Sequence, residues 1–315
     1  MGLKFLVTGG LGHIGSRLIR EYSKRDDIER IVVVDNFLTQ RYCSLFNLPN
    51  NIRYEFIEGD VRDEGLIDGA MKGIDVVMHL AAIVDAPSSI KRPKETRNVN
   101  VYGTKNVLKA CMQNGVRRFI FPSTTSVYGE AEGVVDENTP RNQLKPSSPY
   151  AESKLEAEKF VIGANGKNGI ETIVLRNGTI FGTSIGMRFH TAINKFVYQT
   201  SLNKPMTIWN SAMNSKRPYL GLNDAVRAFQ FVEQNGNPGE IYNVLTSNFT
   251  MNEIIETIKR IKKDVKIEIT ESPLLNQKPY EVSSSKFCSL GFKFEDRLED
   301  CLRDSFDLLS SINNT

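Results

Sequence analysis

The sequence predicts a doubly wound α/β fold, a parallel sheet covered by helices on both faces, followed by a smaller, discontinuous second domain. Three observations predict it. Short apolar, β-branched runs recur through the first two-thirds of the chain, the pattern of strands buried on both faces. Amphipathic stretches separate most of them, giving a βαβα rhythm. The first run feeds directly into a glycine turn, Thr8-Gly9-Gly10-Leu11-Gly12-His13-Ile14-Gly15, and then into a helical pattern.

The elements follow in order. Residues 3–8 form the first strand, and residues 14–23 place Ile14, Leu18, Ile19 and Tyr22 at helical spacing. Apolar runs at 31–34, 54–58, 76–80, 119–121 and 172–175 supply the further strands. After about residue 182 the rhythm breaks. Helices are expected at 187–200, 223–233, 251–262 and 298–309, strands at 204–209 and 240–245, and a polar loop at 210–217. The expected division is a dinucleotide-binding domain of residues 1–180 plus about 219–246, with a substrate domain of about 181–218 plus 247–315.

Composition narrows the class. A chain of 315 residues corresponds to about two domains. Apolar residues at 40%, with 23 glycines besides, exclude a disordered or collagenous chain. Forty Lys+Arg against 37 Asp+Glu, interspersed, give no clustered basic face, so no nucleic-acid partner is expected. Cys43, Cys111, Cys288 and Cys301 lie far apart and form no CxxC pair, so neither a disulfide framework nor a zinc site is expected. The opening run is too short for a signal-peptide core, and Leu6 breaks the myristoylation pattern. The longest mostly apolar stretch, 76–84, contains His79 and falls far short of the roughly 20 residues of a membrane helix. A soluble, cytoplasmic protein without a metal is the expectation.

The glycines at 9, 12 and 15 stand between strand and helix, where backbone N–H groups and the helix N-terminus receive a pyrophosphate. No Gly-Lys-Ser/Thr follows, which excludes a P-loop. Asp35 ends the second strand 20 residues beyond Gly15, where a carboxylate accepts hydrogen bonds from ribose hydroxyls and repels a 2′-phosphate. NAD is therefore expected over NADP, with Arg41 nearby to soften the preference.

A second constellation lies in Ser147-Ser148-Pro149-Tyr150-Ala151-Glu152-Ser153-Lys154. Ser148 is the expected N-cap and Pro149 opens the first turn. Tyr150 and Lys154, four apart, share one helix face. A tyrosine titrates near about 10 in water, and a lysine ammonium one turn away is expected to lower that value towards the range of a useful base. The pair can take a proton from a sugar hydroxyl while nicotinamide accepts a hydride. Alone, a Tyr/Lys pair on a helix is an ordinary surface feature. Upstream, however, the strand at 119–121 runs into the hydroxyl-rich Ser123-Thr124-Thr125-Ser126 at the sheet edge where ligands bind.

Together these motifs resemble the extended short-chain dehydrogenase/reductases, in particular the NAD-dependent epimerase/dehydratase family acting on nucleotide sugars. The resemblance runs from about residue 3 to residue 310. Besides the motifs above it rests on Asn36, Gly59-Asp60-Val61, His79-Leu80-Ala81-Ala82, Asn100 with Gly103-Thr104, Leu175-Arg176, Gly182, Arg217 and Asp224. It implies a Rossmann-like cofactor domain and tightly bound NAD. The implied cofactor contacts are Gly9, Gly12, His13, Ile14, Gly15, Asp35, Asn36, Asp60, Val61, Leu80, Ala81, Ala82, Asn100, Tyr150 and Lys154. Asp60 and Val61 would flank the adenine, and Asn100 would order the active-site helix. The implied catalytic group is Thr124, Tyr150 and Lys154. Substrate contacts are expected from Thr124, Thr125, Tyr150, Asn177, Thr179, Arg188, Arg217, Gln277 and Tyr280, with Arg217 gripping a diphosphate.

Family 4,6-dehydratases carry Asp-Glu after the catalytic threonine, where this chain has Thr125 and Ser126, and a decarboxylase would place Glu at Ser126. The family's 3,5-epimerases use a cysteine near this turn, and none is present. Those chemistries are disfavoured. What remains is 4-epimerisation through a transient 4-keto sugar, or net oxidation or reduction at C4. A cofactor-binding sensor without activity is the alternative of another class. Departures from the family pattern at Thr179, Thr183, Pro218-Tyr219 and 275–279 leave the sugar open, and Tyr280 is expected to discourage an N-acetyl group at C2. By the same resemblance, helices near 99–113 and 149–162 would build a homodimer interface.

Overall fold

The computed structural model describes residues 2–129, 131, 133–210, 213–271 and 280–311. Seven strands form one sheet in the order Ile241–Val244, Glu171–Asn177, Arg118–Thr124, Val76–His79, Leu3–Thr8, Ile28–Asp35 and Arg53–Glu58. All six neighbouring pairs are parallel. Every residue of Val76–His79 and Arg118–Thr124 is buried, as expected of strands covered on both faces.

Alternate residues feed two cores. Phe5 and Val7 face a core built with Leu18 and Ile19 of the His13–Tyr22 helix and Phe229 of the Leu222–Asn235 helix. Leu6 faces the other, with Ile67, Val107 and Val161 from the Glu64–Ala70, Thr104–Gln113 and Pro149–Ala164 helices. The chain walks outward from Leu3–Thr8 to Arg53–Glu58, then returns to Val76–His79 on the other side of the first strand. Strand order therefore reverses beside Thr8, which pairs with His79, and a crevice opens there at the carboxyl ends of the strands.

A third core gathers Phe181, Phe196, Ile208, Ile254 and Leu302, from the Ala192–Ser201, Met251–Ile261 and Leu298–Leu308 helices and short strands. The short strands pair over long sequence distances: Ser247–Phe249, Arg217–Gly221 and Thr179–Phe181 in one sheet, Met206–Trp209 with Ile267–Thr270, and Gly133–Val135 with Tyr280–Val282.

Several local expectations need correction. The helix expected at 187–200 begins only at Ala192, because Thr191 is extended and Asn194 Nδ2 bonds back to the Arg188 carbonyl at 3.1 Å. The expected loop at 210–217 ends in a strand starting at Arg217. The helix preceding the fifth sheet strand contains a π-helical segment, Asn98–Gly103, which periodicity did not reveal.

Candidate active site

The glycine turn lies at the strand reversal and borders a cavity of about 430 Å³. Gly9 has φ +66°, and a Cβ there would stand 2.6 Å from the Ala81 nitrogen, so no other residue fits. Gly12, Ile14 and Gly15 line the cavity. No side chain caps the helix that starts at His13, which leaves its first N–H groups for a ligand. Asp35 lines the same wall, with its carboxylate accepting from Leu11 N at 3.2 Å and Phe37 N at 3.1 Å. Burial raises its pKa and these backbone bonds oppose the rise. Asn36, Asp60, Val61, Leu80, Ala81 and Ala82 complete that end. Arg62 grips Asp60 with bonds of 2.8 and 2.7 Å and holds its carboxyl down at about 2. His13 is buried and neutral, its pKa pushed down to about 4, and its Nε2 donates to the Gly182 carbonyl at 2.9 Å.

That bond belongs to a strap. Ser184 Oγ donates to His13 O at 2.9 Å, and Gly186 N donates to Ser16 Oγ at 3.0 Å. A Cβ on Gly186 would strike the Leu11 and Gly12 carbonyls. The segment carrying Arg188 is thereby pinned to the glycine turn.

Across the cavity, Ser148 caps the Pro149–Ala164 helix by accepting from Ala151 N at 3.2 Å, and Tyr150 and Lys154 face the opening. Lys154 Nζ donates to the Pro122 carbonyl at 2.8 Å, and burial pushes its pKa down to about 7. Burial raises the Tyr150 phenol, opposed by the Thr124 hydroxyl and the Arg188 guanidinium. The expectation that the Lys154 ammonium lowers Tyr150 is therefore corrected: the ammonium is turned to Pro122, and Thr124 and Arg188 do the opposing.

Among the expected substrate contacts, Thr124, Asn177, Thr179 and Arg188 line the cavity. Thr125 does not, because its hydroxyl donates to the Asn177 carbonyl at 3.3 Å, and Ser126 takes the wall position instead. Arg217 and Tyr280 stand off the wall, the guanidinium 4.9 Å above the Tyr280 ring and the Tyr280 hydroxyl donating to Thr125 O at 3.2 Å. Asn100 is also off the wall. Gln277 lies outside the described residues. Arg41, expected near Asp35, lines the cavity, and so does Arg62, which the motif reading did not place in the site. Arg62 follows Asp60 by two residues, and that proximity was the available signal. Among the described residues no three His, Cys, Asp or Glu side chains cluster to hold a metal, and no helix is long and apolar enough to cross a membrane.

The family model of the NAD dependent epimerase/dehydratase family matches residues 5–244. The chain belongs to this family. A mouse dTDP-D-glucose 4,6-dehydratase is 34% identical over 308 residues, covering 92% of this chain and 84% of that protein. A trifunctional UDP-glucose 4,6-dehydratase/UDP-4-keto-6-deoxy-D-glucose 3,5-epimerase/UDP-4-keto-L-rhamnose-reductase of Arabidopsis thaliana is 31% identical over 324 residues, covering 96% of this chain. The chain spans 46% of that relative's length. The crystal structure of a Bacillus cereus UDP-glucuronic acid 4-epimerase, in complex with UDP-glucuronic acid and NAD, matches with a TM-score of 0.89 at 27% identity, covering 98% of this chain and 99% of that one.

This member of the NAD-dependent epimerase/dehydratase family is an enzyme, and its cavity fits the cofactor. The Gly12 face is open, with only the Gly9 carbonyl at 3.2 Å and Arg41 at 3.8 Å near a Cβ built there, which leaves room for phosphate oxygens. The Tyr150 end of the cavity is braced by a proton-ordered network. Thr104 Oγ1 gives its only proton to the Asn100 carbonyl at 2.7 Å, so it accepts from His79 Nε2 at 2.9 Å. His79 Nδ1 then accepts from Thr8 Oγ1 at 2.8 Å, whose oxygen receives the Ala81 N–H at 3.2 Å. Burial pushes His79 down to about 3, consistent with this neutral tautomer. Asn100 clasps Ile83 through both backbone atoms and donates to Ser153 Oγ at 2.9 Å, and Ser153 donates to the Tyr150 carbonyl at 2.7 Å. Its contribution in this geometry is to seat the Tyr150 helix.

Proposed function

We propose that this enzyme is a nucleotide-sugar 4-epimerase working through a transient 4-keto sugar. The observation that carries this reading is the wall beside Tyr150. After Thr124 it presents the Ser126 hydroxyl and, among the described residues, no carboxylate beside Tyr150. Asp35 and Asp60 lie at the glycine-turn end, Glu95 pairs with Arg92 at 3.4 Å, and Asp85 caps a helix by accepting from Ser88 N at 3.2 Å. Loss of water across C5 and C6 needs a positioned acid and base, whereas 4-epimerisation needs only the Tyr150 group. The identity shared with 4,6-dehydratases is compatible with this, because Thr125 and Ser126 stand where those enzymes carry their acid pair.

NAD, held by the glycine turn and Asp35, would supply a reversible hydride acceptor for C4 of the sugar. Tyr150 accepts the O4 proton and gives it back, the Thr124 hydroxyl orders O4 against the phenol, and Thr124 and the Arg188 guanidinium favour the phenolate against burial. Asn177 Oδ1 is buried with no partner among the described residues and lines the cavity, an acceptor aimed at a ligand hydroxyl or amide. The substrate is a nucleotide-diphosphate sugar, with uridine the first base to test. Residues 1–180 plus about 219–246 form the cofactor domain, and about 181–218 plus 247–315 the sugar-nucleotide domain. Arg188 favours a second reading of the sugar. Its guanidinium lines the cavity beside Tyr150 and makes no hydrogen bond or ion pair among the described residues, so a hexuronate carboxylate would complete it. The enzyme acts as a cytoplasmic homodimer. The supporting feature is an outward face where Tyr102 is 46% exposed and Lys105 lies 5.3 Å from its ring and 3.8 Å from that of Phe160. A monomer in light scattering would refute the dimer.

Proton NMR of the purified protein, without added cofactor, against UDP-, GDP- and dTDP-hexoses and UDP-hexuronates tests the reading. Catalytic appearance of the C4 epimer is expected. A 4-keto product halting at one equivalent per site points instead to a C4 dehydrogenase.

A further inference from the structure

The Pro149–Ala164 helix meets the end of the Arg118–Thr124 strand through Tyr150, Lys154 and Glu158, three residues of one stripe. Each engages a different member of three consecutive strand residues. Lys154 Nζ donates to Pro122 O at 2.8 Å, Ser123 Oγ donates to Glu158 Oε1 at 2.5 Å, and the Thr124 hydroxyl opposes the burial-driven rise of the Tyr150 phenol. Glu158 is fully buried. Arg176 clamps it from the next strand, Nε to Oε1 at 3.0 Å and Nη2 to Oε2 at 2.8 Å. Arg176 pairs in register with Ser123, so both groups that hold Glu158 come from one level of the sheet. Arg176 also donates to the Tyr128 hydroxyl at 3.0 Å, which donates to Asn243 Oδ1 at 2.9 Å.

A buried ion pair is a poor device for stability, since apolar residues of equal volume generally serve as well or better. What they do not supply is a directed grip on Ser123 and a charge beside Lys154. We propose that Glu158 is a positioning residue of the reaction: it locks the strand end beneath Tyr150 and Lys154 in register and presents a carboxylate one turn behind the Lys154 ammonium. The inference rests on Tyr150 and Lys154 being the proton-handling pair. Few groups face Lys154. The Phe121 ring lies 4.5 Å from Nζ, His79 on the neighbouring strand is neutral, Tyr150 shares the helix, and Arg176 is reached through Glu158. Burial drives the ammonium towards deprotonation, and Glu158 opposes it.

The test is a pH titration of Lys154 by nitrogen-15 NMR in NAD-loaded enzyme labelled at its lysine side chains, with the resonance assigned by its loss in Lys154→Met. Profiles of kcat and KM against pH accompany it. In Glu158→Gln the Lys154 titration and the basic limb of kcat are expected to move down by about one pH unit, a roughly tenfold change in protonation constant, while KM changes less than about threefold. Glu158→Asp keeps the charge but shortens the reach, so the limb should hold while kcat falls. A uniform loss of kcat in Glu158→Gln with both titrations unmoved overturns the inference, as does wild-type kcat in Glu158→Asp. If Glu158→Gln fails to fold, with Arg176 left buried and unpaired, Glu158→Asp decides alone on the same criteria. The NMR titration needs no turnover, so a shifted Lys154 in an enzyme without 4-epimerase activity would sink the substrate reading and leave this one standing.

Discussion

The glycine turn and the wall beside Tyr150 border one cavity, yet they are built in opposite ways. Gly9 to Gly15 is one unbroken stretch whose shape comes from backbone, with Asp35 delivered by the adjacent strand. The other wall takes Thr124, Asn177, Thr179 and Arg188 from separate segments, with Arg217 and Tyr280 behind them, and it presents side chains. A surface made of backbone accepts one ligand class and tolerates almost no change. A surface made of side chains from many segments can be altered one contact at a time. Changes on the first should register as lost cofactor and lost stability, and changes on the second as altered KM and choice of sugar.

The largest effect belongs to the chemistry between the two walls. Tyr150→Phe is expected to lower kcat by about 10²–10⁴-fold while NAD content and Tm stay at wild-type values, read by NMR turnover, absorbance of released cofactor and calorimetry. Gly9→Ala should cost about 3 kcal/mol from a left-handed backbone and an overpacked contact with Ala81, and should yield protein purified without NAD. A stable, NAD-loaded Gly9→Ala protein would break the comparison outright.

Lys154 tests whether the pair between the walls is held at a cost. Its folded pKa near 7 lies below the ordinary lysine value of about 10.5, so between these the unfolded chain binds the extra proton and stability rises with pH. The burial penalty is fully present below pH 7. Lys154→Met is thus expected to gain on the order of 1–2 kcal/mol at pH 6 by denaturant unfolding, with the gain shrinking towards pH 10 and activity lost throughout. A gain independent of pH would show that the ammonium is not the cause. The smallest effect is expected from Arg188→Met. KM for the sugar nucleotide should rise about tenfold, equivalent to ~1.4 kcal/mol, with NAD retained. If NAD is lost instead, the two walls are not separable.

The same contrast governs what the sequence could reveal. The glycine turn, Asp35, and the Tyr150/Lys154 spacing are local, so residues within a few turns of one another state their arrangement. Strands buried on both faces announce themselves as continuous apolar runs. Gly133–Val135 and Tyr280–Val282 are three residues long and find each other across nearly half of the chain, so no periodicity marks either. The exchange of Thr125 for Ser126 on the wall depends on which hydroxyl the Asn177 carbonyl claims, a contact between the turn after one strand and the end of the next. The π-helical turn at Asn98–Gly103 looks like ordinary helix in sequence, and the part of Asn100 in ordering the active-site helix, legible there only through resemblance, takes physical form in the Ser153 bond.

The strap from Gly182 to Gly186 limits how this enzyme can be redesigned. With His13, Ser16 and Ser184 tying it down and no room for a Cβ at Gly186, the segment cannot slide or swell to admit a bulkier sugar. Insertions there would pull on the cofactor turn itself. New sugar tolerance is better sought by exchanging side chains at Arg188 and Thr191, downstream of the anchor, where the cavity wall can change shape without disturbing its foundation.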